Sequence, residues 1–280
     1  MSVRQFKVAA AQMTSGDDLD QNLATCAELA AEAAQKGAKM LVLPECFAFL
    51  GRREADKFAV AEVVGGPQPG PIVAALTELA KRHELFLVGG GMPERRPGDG
   101  QPAKVFNTAV AISPAGELIA TYRKIHLFDV DIPGGAVLRE SDSTYGGEAA
   151  EVIETPLGNI GLTICYDLRF PELYRKLVSV GAEIFAIPAA FTAHTGAAHW
   201  HVLMRARAIE NQCYVVAAAQ VGHHNDKRES YGHSLIVDPW GEIVAELDAG
   251  TGLAIGEVDL DLVAKTRRQM PCLEHRAIKD

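Results

Sequence analysis

Twice along this chain a short apolar run, a helical stretch and a second apolar run follow one another, and hairpin signals flank each series. In the first series residues 6–11 (FKVAAA) read as a buried strand. Asp17 and Asp18 then cap a helix to about Lys36, with Leu19, Leu23, Cys26 and Ala30 near one face and Gly37 as the stop. Residues 40–43 form the next strand, and a helix over 72–83 with a strand over 85–89 repeats the unit. Strands joined through helices lie parallel, so functional groups gather at their carboxyl ends. The tract 92–104 reads as a polar loop. Residues 104–112 and 117–122 then turn the pattern antiparallel around Ser113-Pro-Ala-Gly116.

The second series opens on a hairpin of residues 151–155 and 159–164. It continues through a helix over 171–180, a break at Gly181 and a strand over 184–188. Residues 189–198 read as a loop of small residues, followed by a helix over 200–212, a strand over 214–219 and a polar loop over 222–230. A hairpin (232–237 with 243–247) and a strand over 253–258 complete the core, and the polar tail 259–280 is expected to cap a partner or to be loosely held. Nothing in the sequence reads as a repeat, a low-complexity tract or a linker. We therefore expect one domain over 1–280, with its core at about 6–258. Two half-sheets faced by helices predict an α/β fold, a four-layer α-β-β-α sandwich.

Three chemically capable residues fall where strands end. Cys165 follows the run GNIGLTI, and Pro171 with a carboxylate after it opens a helix. A thiol on such a turn sits beside free backbone N–H groups, which favour the thiolate and offer donors to an oxyanion. The alternative is a small buried hydrophobe. Glu45 directly follows the strand at 40–43, where it reads as a functional carboxylate or as half of a structural ion pair. Lys124 lies between a strand and a loop among apolar neighbours, either partly desolvated for chemistry or simply solvated. Together the three make a complete set for attack on a carbonyl carbon. Cys165 would be the nucleophile and Glu45 the proton acceptor and donor, with Lys124 and the Tyr166 backbone N–H facing the oxyanion.

Other chemistries are weaker. The 280-residue chain carries a formal net charge of −9, which argues against nucleic acid as a partner, and its 6% aromatic content offers no broad base-stacking surface. No apolar run approaches a membrane span and no leader pattern opens the chain, so no membrane partner is expected. Five scattered cysteines fit no disulfide framework, and the chain reads as cytoplasmic. His194, His199 and His201 cluster, with His223, His224 and His233 further on. His199 and His201 point to different helix faces, and no zinc-type spacing accompanies them, so no metal is expected. Gly89-Gly90-Gly91 lacks the spacing and lysine of a phosphate loop. Arg169, four positions beyond Cys165, either holds a substrate carboxylate bidentately or pairs with Glu172 or Asp167.

The stretches LVLPEC around Glu45, YRKIHLFDVDIPG around Lys124 and GLTICYDLRFPEL around Cys165 resemble, in this order, the three signatures of the nitrilase, or carbon–nitrogen hydrolase, superfamily. The resemblance runs from about Phe6 to the C-terminal tail. It implies the nitrilase-type sandwich, a Glu-Lys-Cys triad, a thioester intermediate and no cofactor. It also implies a homodimer or larger homo-oligomer that extends the sandwich. Glu140 in VLRESDS matches a second glutamate of relatives, which positions the lysine or the attacking water. HLFDVDIPGG, TGAAHW and RARAIENQCYVVAAAQ resemble the amidase branch that includes omega-amidases and deaminated glutathione amidases. AAAQVGHHNDKRESYGHSLIVDPWG is closer to the latter. The expected substrate is then a small-molecule amide with a 2-oxo acid carboxylate. Its contacts are expected at Arg169, Phe191 and Thr195 beside Tyr166. The alternative within the same branch is an omega-amidase acting on α-ketoglutaramate. Ala197-Ala198 stands where relatives often have Gly-Pro-Ala, a departure expected near the pocket.

Overall fold

The computed structural model describes residues 4–98, 100, 103–131 and 137–278. The first series gives β1 (Gln5–Met13), α1 (Leu19–Gln35), β2 (Ala38–Leu43), α2 (Pro71–His83) and β3 (Phe86–Glu94), with the three strands side by side and parallel. Antiparallel β4 (Val105–Ile112) and β5 (Leu118–Arg123) extend this half. A small separate hairpin, β6 (Asp129–Asp131) with β7 (Val137–Arg139), follows, and then β8 (Thr144–Tyr145), which pairs with β4. Residues 132–134 of the lysine signature lie outside the described residues.

The second half comprises β9 (Glu151–Thr155), β10 (Gly158–Leu162), α3 (Pro171–Ser179), β11 (Ile184–Ala189), α4 (Ala193–Asn211) and β12 (Tyr214–Asn225). Here β10, β11 and β12 are parallel, and β9 closes the edge antiparallel. β13 (Arg228–Tyr231) and β14 (Ser234–Val237) pair with β12, and β15 (Ile243–Leu247) pairs with β14. β16 (Gly252–Asp259) returns to the first half along β1, from Gln5↔Asp259 to Gln12↔Gly252, and α5 (Leu260–Gln269) follows it. The two halves join where β1 meets β12, at Gln12↔Ala219 and Met13↔Gln220.

Alternation along the strands builds the layers. In β1 and β2, Val8, Ala10, Met40 and Val42 face the core shared with Ile160, Leu162, Phe185 and Ala217 of the other half. Their neighbours Ala9, Ala11, Leu41 and Leu43 face α1 and α2 through Cys26, Leu29, Ile72 and Leu76. Strands buried on both faces read as unbroken apolar runs, which is why these segments lack a polar side. α3 and α4 cover the opposite sheet with Leu173, Tyr174, Leu177, Trp200 and Met204. The result is the expected α-β-β-α sandwich.

Besides the unexpected β6, β7 and β8, four segments differ from what the sequence predicts. α4 begins at Ala193, inside the expected small-residue loop, because the Thr192 side chain accepts the Thr195 backbone N–H as an N-cap. The expected loop at 222–230 is instead the hairpin of β12 and β13, which pairs from Val221↔Tyr231 to Asn225↔Arg228 with a register shift between His223 and Asn225. β3 runs on into the expected polar loop because the carboxylate of Glu94 is buried against Thr108 Oγ1 (2.6 Å) and Arg123 Nη2 (2.6 Å). The tail is not loose through 269: α5 is capped by Asp259 and buries Leu260, Val263 and Thr266. None of its polar residues signalled that docking.

Candidate active site

Glu45 sits just beyond β2 in a backbone held from both sides. The Cys46 N–H donates to the Gly91 carbonyl (3.0 Å), and Gln220 Nε2 donates to the Glu45 carbonyl (2.9 Å). Cys46 adopts a left-handed φ of 60°, a strained conformation for a residue with a side chain. Gly91 makes the approach possible. Its φ is +68°, and a Cβ there would lie 2.7 Å from Glu45 Cγ and 2.8 Å from Asn107 Oδ1.

Lys124 follows β5, its N–H donating to the Asn107 carbonyl at 2.9 Å. Its ammonium is 2% exposed and donates to Glu45 Oε1 (3.0 Å) and Glu140 Oε2 (2.8 Å). The expectation of a partly desolvated lysine thus resolves to a fully buried one. Burial opposes its charge, but Glu140 and Glu45 outweigh that and hold its pKa well above the ordinary lysine value. Glu140 is the mirror case. Burial favours its neutral form, but Lys124 and the Phe128 N–H (2.7 Å) draw its pKa below the ordinary carboxylate value. Asn107 Nδ2 bridges the two glutamates, at 2.9 Å from Glu45 Oε1 and 3.2 Å from Glu140 Oε1.

Cys165 opens a short 3-10 turn (Cys165–Arg169) after β10, with a left-handed φ of 49°. Asp167 fixes that turn. Its carboxylate accepts the Ile164 N–H (2.9 Å), the Tyr122 hydroxyl (2.6 Å) and the His126 N–H (3.1 Å). The buried Cys165 thiol lies near enough to the Glu45 carboxylate and the Lys124 ammonium to feel both charges. Burial and the adjacent Glu45 push its pKa well up, against the pull of Lys124 and Ala190. The resting group is a thiol that needs a base, and a base-capable carboxylate shares its cavity wall.

These groups line one cavity of about 780 Å³. Glu45, Lys124, Glu140 and Cys165 lie on its wall, and so do Tyr166, Arg169, Phe191 and Thr195. Arg169 pairs with neither Glu172 nor Asp167 among the described residues. Its Nη1 lies 3.1 Å from His199 Nδ1, and its guanidinium faces the Phe191 ring at 5.2 Å. Phe191 packs edge-on against Trp200 (5.1 Å), and Thr195 belongs to the first turn of α4. Ala197 and Ala198 are exposed on α4, just beyond the lining residue Thr195, and do not themselves line the cavity.

The histidines part as their spacing predicts, His199 toward Arg169 and His201 away from it. His201 instead meets His233 and Glu246, with ligand atoms within 4.8 Å of one another. Both rings close on Glu246 Oε1 at 2.7 Å, so the cluster satisfies itself outside the cavity.

The sequence reading missed Asn107, Asp167 as a clasp, Gly91 and Arg228, which also lines the cavity. Asn107 left one signal, a polar residue inside the apolar run of β4. The other three left none, because their partners are distant in sequence.

A family model for carbon–nitrogen hydrolases matches residues 7–268. The deaminated glutathione amidase of Bos taurus is 49% identical over 270 residues, covering 96% of this chain and 81% of that protein. The crystal structure of the C. elegans NitFhit protein superposes with a TM-score of 0.91 at 41% identity, over 99% of this chain and 66% of that longer one. Saccharomyces cerevisiae Nit3, described as a member of branch 10 of the nitrilase superfamily, gives a TM-score of 0.88 at 34% identity, over 99% and 98% of the two chains.

Proposed function

The chain belongs to the carbon–nitrogen hydrolase family, and we propose that it is a thiol amidohydrolase that cleaves the amide of deaminated glutathione, releasing α-ketoglutarate and Cys-Gly. The observation that carries this reading is the gathering of Cys165, Glu45 and Lys124 on one cavity wall, where the buried Glu45 carboxylate takes the Lys124 ammonium at 3.0 Å. Glu45 accepts the thiol proton as Cys165 Sγ bonds to the amide carbon. The oxyanion is met by Lys124 and by the Tyr166 backbone N–H. Collapse breaks the C–N bond, and the proton on Glu45 leaves with the amine. A water then attacks the thioester, giving its proton to Glu45, which returns it to the Cys165 sulfur. Glu140, bound to the same ammonium, keeps Lys124 charged and aimed through both steps.

Arg169 holds the 2-oxo acid carboxylate between Phe191 and Thr195, a role that its place on the cavity wall supports. This course uses no cofactor and no metal, so chelators should leave turnover unchanged. The same reading has the chain working in the cytoplasm as a homodimer or larger homo-oligomer. No helix among the described residues is long and apolar enough to cross a membrane.

The decisive experiment compares kcat/KM on α-ketoglutaramate and on its Cys-Gly conjugate, with Cys165→Ala as the blank. A clear preference for the conjugate is expected. Preference for the small amide would make the protein an omega-amidase. Substantial turnover by the folded Cys165→Ala protein would remove Cys165 as nucleophile.

A further inference from the structure

The cavity wall carries more cations than the proposed chemistry uses, and most are already taken. Arg52 donates to Asp17 (2.8 Å), Arg53 pairs with Asp56 (2.9 Å) and Lys57 donates to Glu54 (3.0 Å). Arg139 donates to the carbonyls of Val130 and Leu138. Arg228 differs from these. Its Nη1 lies 3.9 Å from Glu54 Oε1, beyond hydrogen-bond reach, on a carboxylate that Lys57 already occupies. The side chain is 37% exposed, so it is held partly out of water with only this loose ion pair to Glu54.

A paired strand presents it. β13 pairs antiparallel with β12 through an irregularity between His223 and Asn225 next to Arg228, and its far end is stitched to the cavity wall by the Tyr231 N–H on the Phe191 carbonyl (3.0 Å) and by the Thr192↔Ser230 bridge. Arg228 interacts electrostatically with Glu45, Cys46 and Cys165, so its charge is felt at the reacting groups.

The substrate assigned above has a carboxylate at each end. One belongs to the 2-oxo acid. The other closes the leaving Cys-Gly dipeptide, roughly 7 Å from the scissile carbonyl in an extended chain of two residues. Two separated anions require two cations, and Arg169 serves one end. We propose that Arg228 is the subsite for the leaving-group carboxylate, binding it bidentately through its guanidinium. It thereby sets carboxylate-terminated dipeptidyl amides apart from the small primary amide. This inference rests on the proposed function.

The competing role for Arg228 is purely electrostatic, balancing the negative charge around Glu45 and Cys165. Three substrates separate the two roles: the Cys-Gly conjugate, the same conjugate with its terminal carboxylate amidated, and α-ketoglutaramate. For Arg228→Gln we expect a loss of kcat/KM on the free-acid conjugate about 10- to 100-fold greater than the loss on the other two, with the excess mostly in KM. Arg228→Lys should recover part of that loss, since it keeps the charge but not the fork. Activity on α-ketoglutaramate doubles as the check that each variant is folded. Equal losses on all three substrates would overturn the subsite in favour of the electrostatic role. Unchanged kinetics on the free-acid conjugate would overturn it outright. A wild-type protein that cleaves α-ketoglutaramate but not the conjugate would instead overturn the functional reading, and the subsite with it.

Discussion

His126 Nδ1 donates to Asp167 Oδ1 at 2.7 Å, and this bond clasps the lysine-bearing segment to the turn that carries Cys165. Asp167 is wholly buried, and Tyr122, at the end of the strand before Lys124, adds its hydroxyl to the other carboxylate oxygen at 2.6 Å. The His126 ring is stacked on Phe170 with centroids 3.6 Å apart, so the clasp cannot swing. Lys124 and Cys165 thus owe their mutual placement to a carboxylate that takes no part in the chemistry.

Asp167→Asn should therefore act on both stability and rate. The amide can accept at one position only, leaving a buried donor unmet, at a cost of roughly 2–4 kcal/mol. Urea unfolding should show a lower midpoint, and kcat should fall more than KM rises. A variant with wild-type midpoint and kcat would show that the clasp is dispensable.

Lys124→Met strands Glu45 and Glu140 together without their cation. Breaking a buried ion pair on one side costs roughly 3–5 kcal/mol, and turnover should vanish. Without Lys124 the Glu140 carboxylate is favoured in its protonated form when folded, so the variant should gain stability as pH falls. The wild type behaves oppositely, because the lowered pKa of Glu140 supplies stability above the ordinary carboxylate value that is lost on acidification through the folded one. Unfolding curves across pH for both proteins test the sign.

Gly91→Ala places a methyl group at a left-handed position and against Glu45 Cγ at 2.7 Å. The backbone term alone is about 1–3 kcal/mol. We expect kcat to drop at least about tenfold, since displacing Glu45 moves the proposed base away from its placement beside Cys165 and Lys124. Wild-type kcat in the folded variant would show that Glu45 tolerates the shift.

Arg169→Lys keeps the charge but not the planar fork. KM should rise about tenfold for any 2-oxo acid amide, with kcat little changed. An unchanged KM would remove Arg169 from carboxylate binding.

His224 should make the fold acid-labile. Its ring meets the Ser15 carbonyl (2.8 Å) and Ser230 Oγ (2.9 Å), and burial pushes its pKa down to about 4 from the model-peptide value of 6.5. The unfolded chain binds this proton more readily, so the contribution is complete above 6.5 and is lost as pH falls toward 4. Over that window the wild type should lose roughly 3 kcal/mol more than His224→Gln, measured by denaturant unfolding. Parallel pH profiles would show that His224 takes no part.

The sequence alone determined the layers and singled out the three residues that meet in the cavity. Strand–helix alternation dictates parallel strands, and strand ends at Glu45, Lys124 and Cys165 place their side chains at one edge of the sheets. These are local signals, carried by neighbours in the chain. The branch of the family was legible in the same way, from contiguous stretches around each of the three.

What holds the residues at working distance was decided by tertiary structure. Asn107 reaches Glu45 and Glu140, Asp167 reaches His126 and Tyr122, and Gly91 yields space to Glu45, across separations that leave no periodic trace in the sequence. Arg228 is read from the sequence as one more charge in a polar loop, and only the β12–β13 hairpin turns it toward the cavity. Alternation and capping are written in adjacent residues, so sequence reveals them. Burial, charge pairing and close approach are properties of space, so they exist only once the chain has closed on itself.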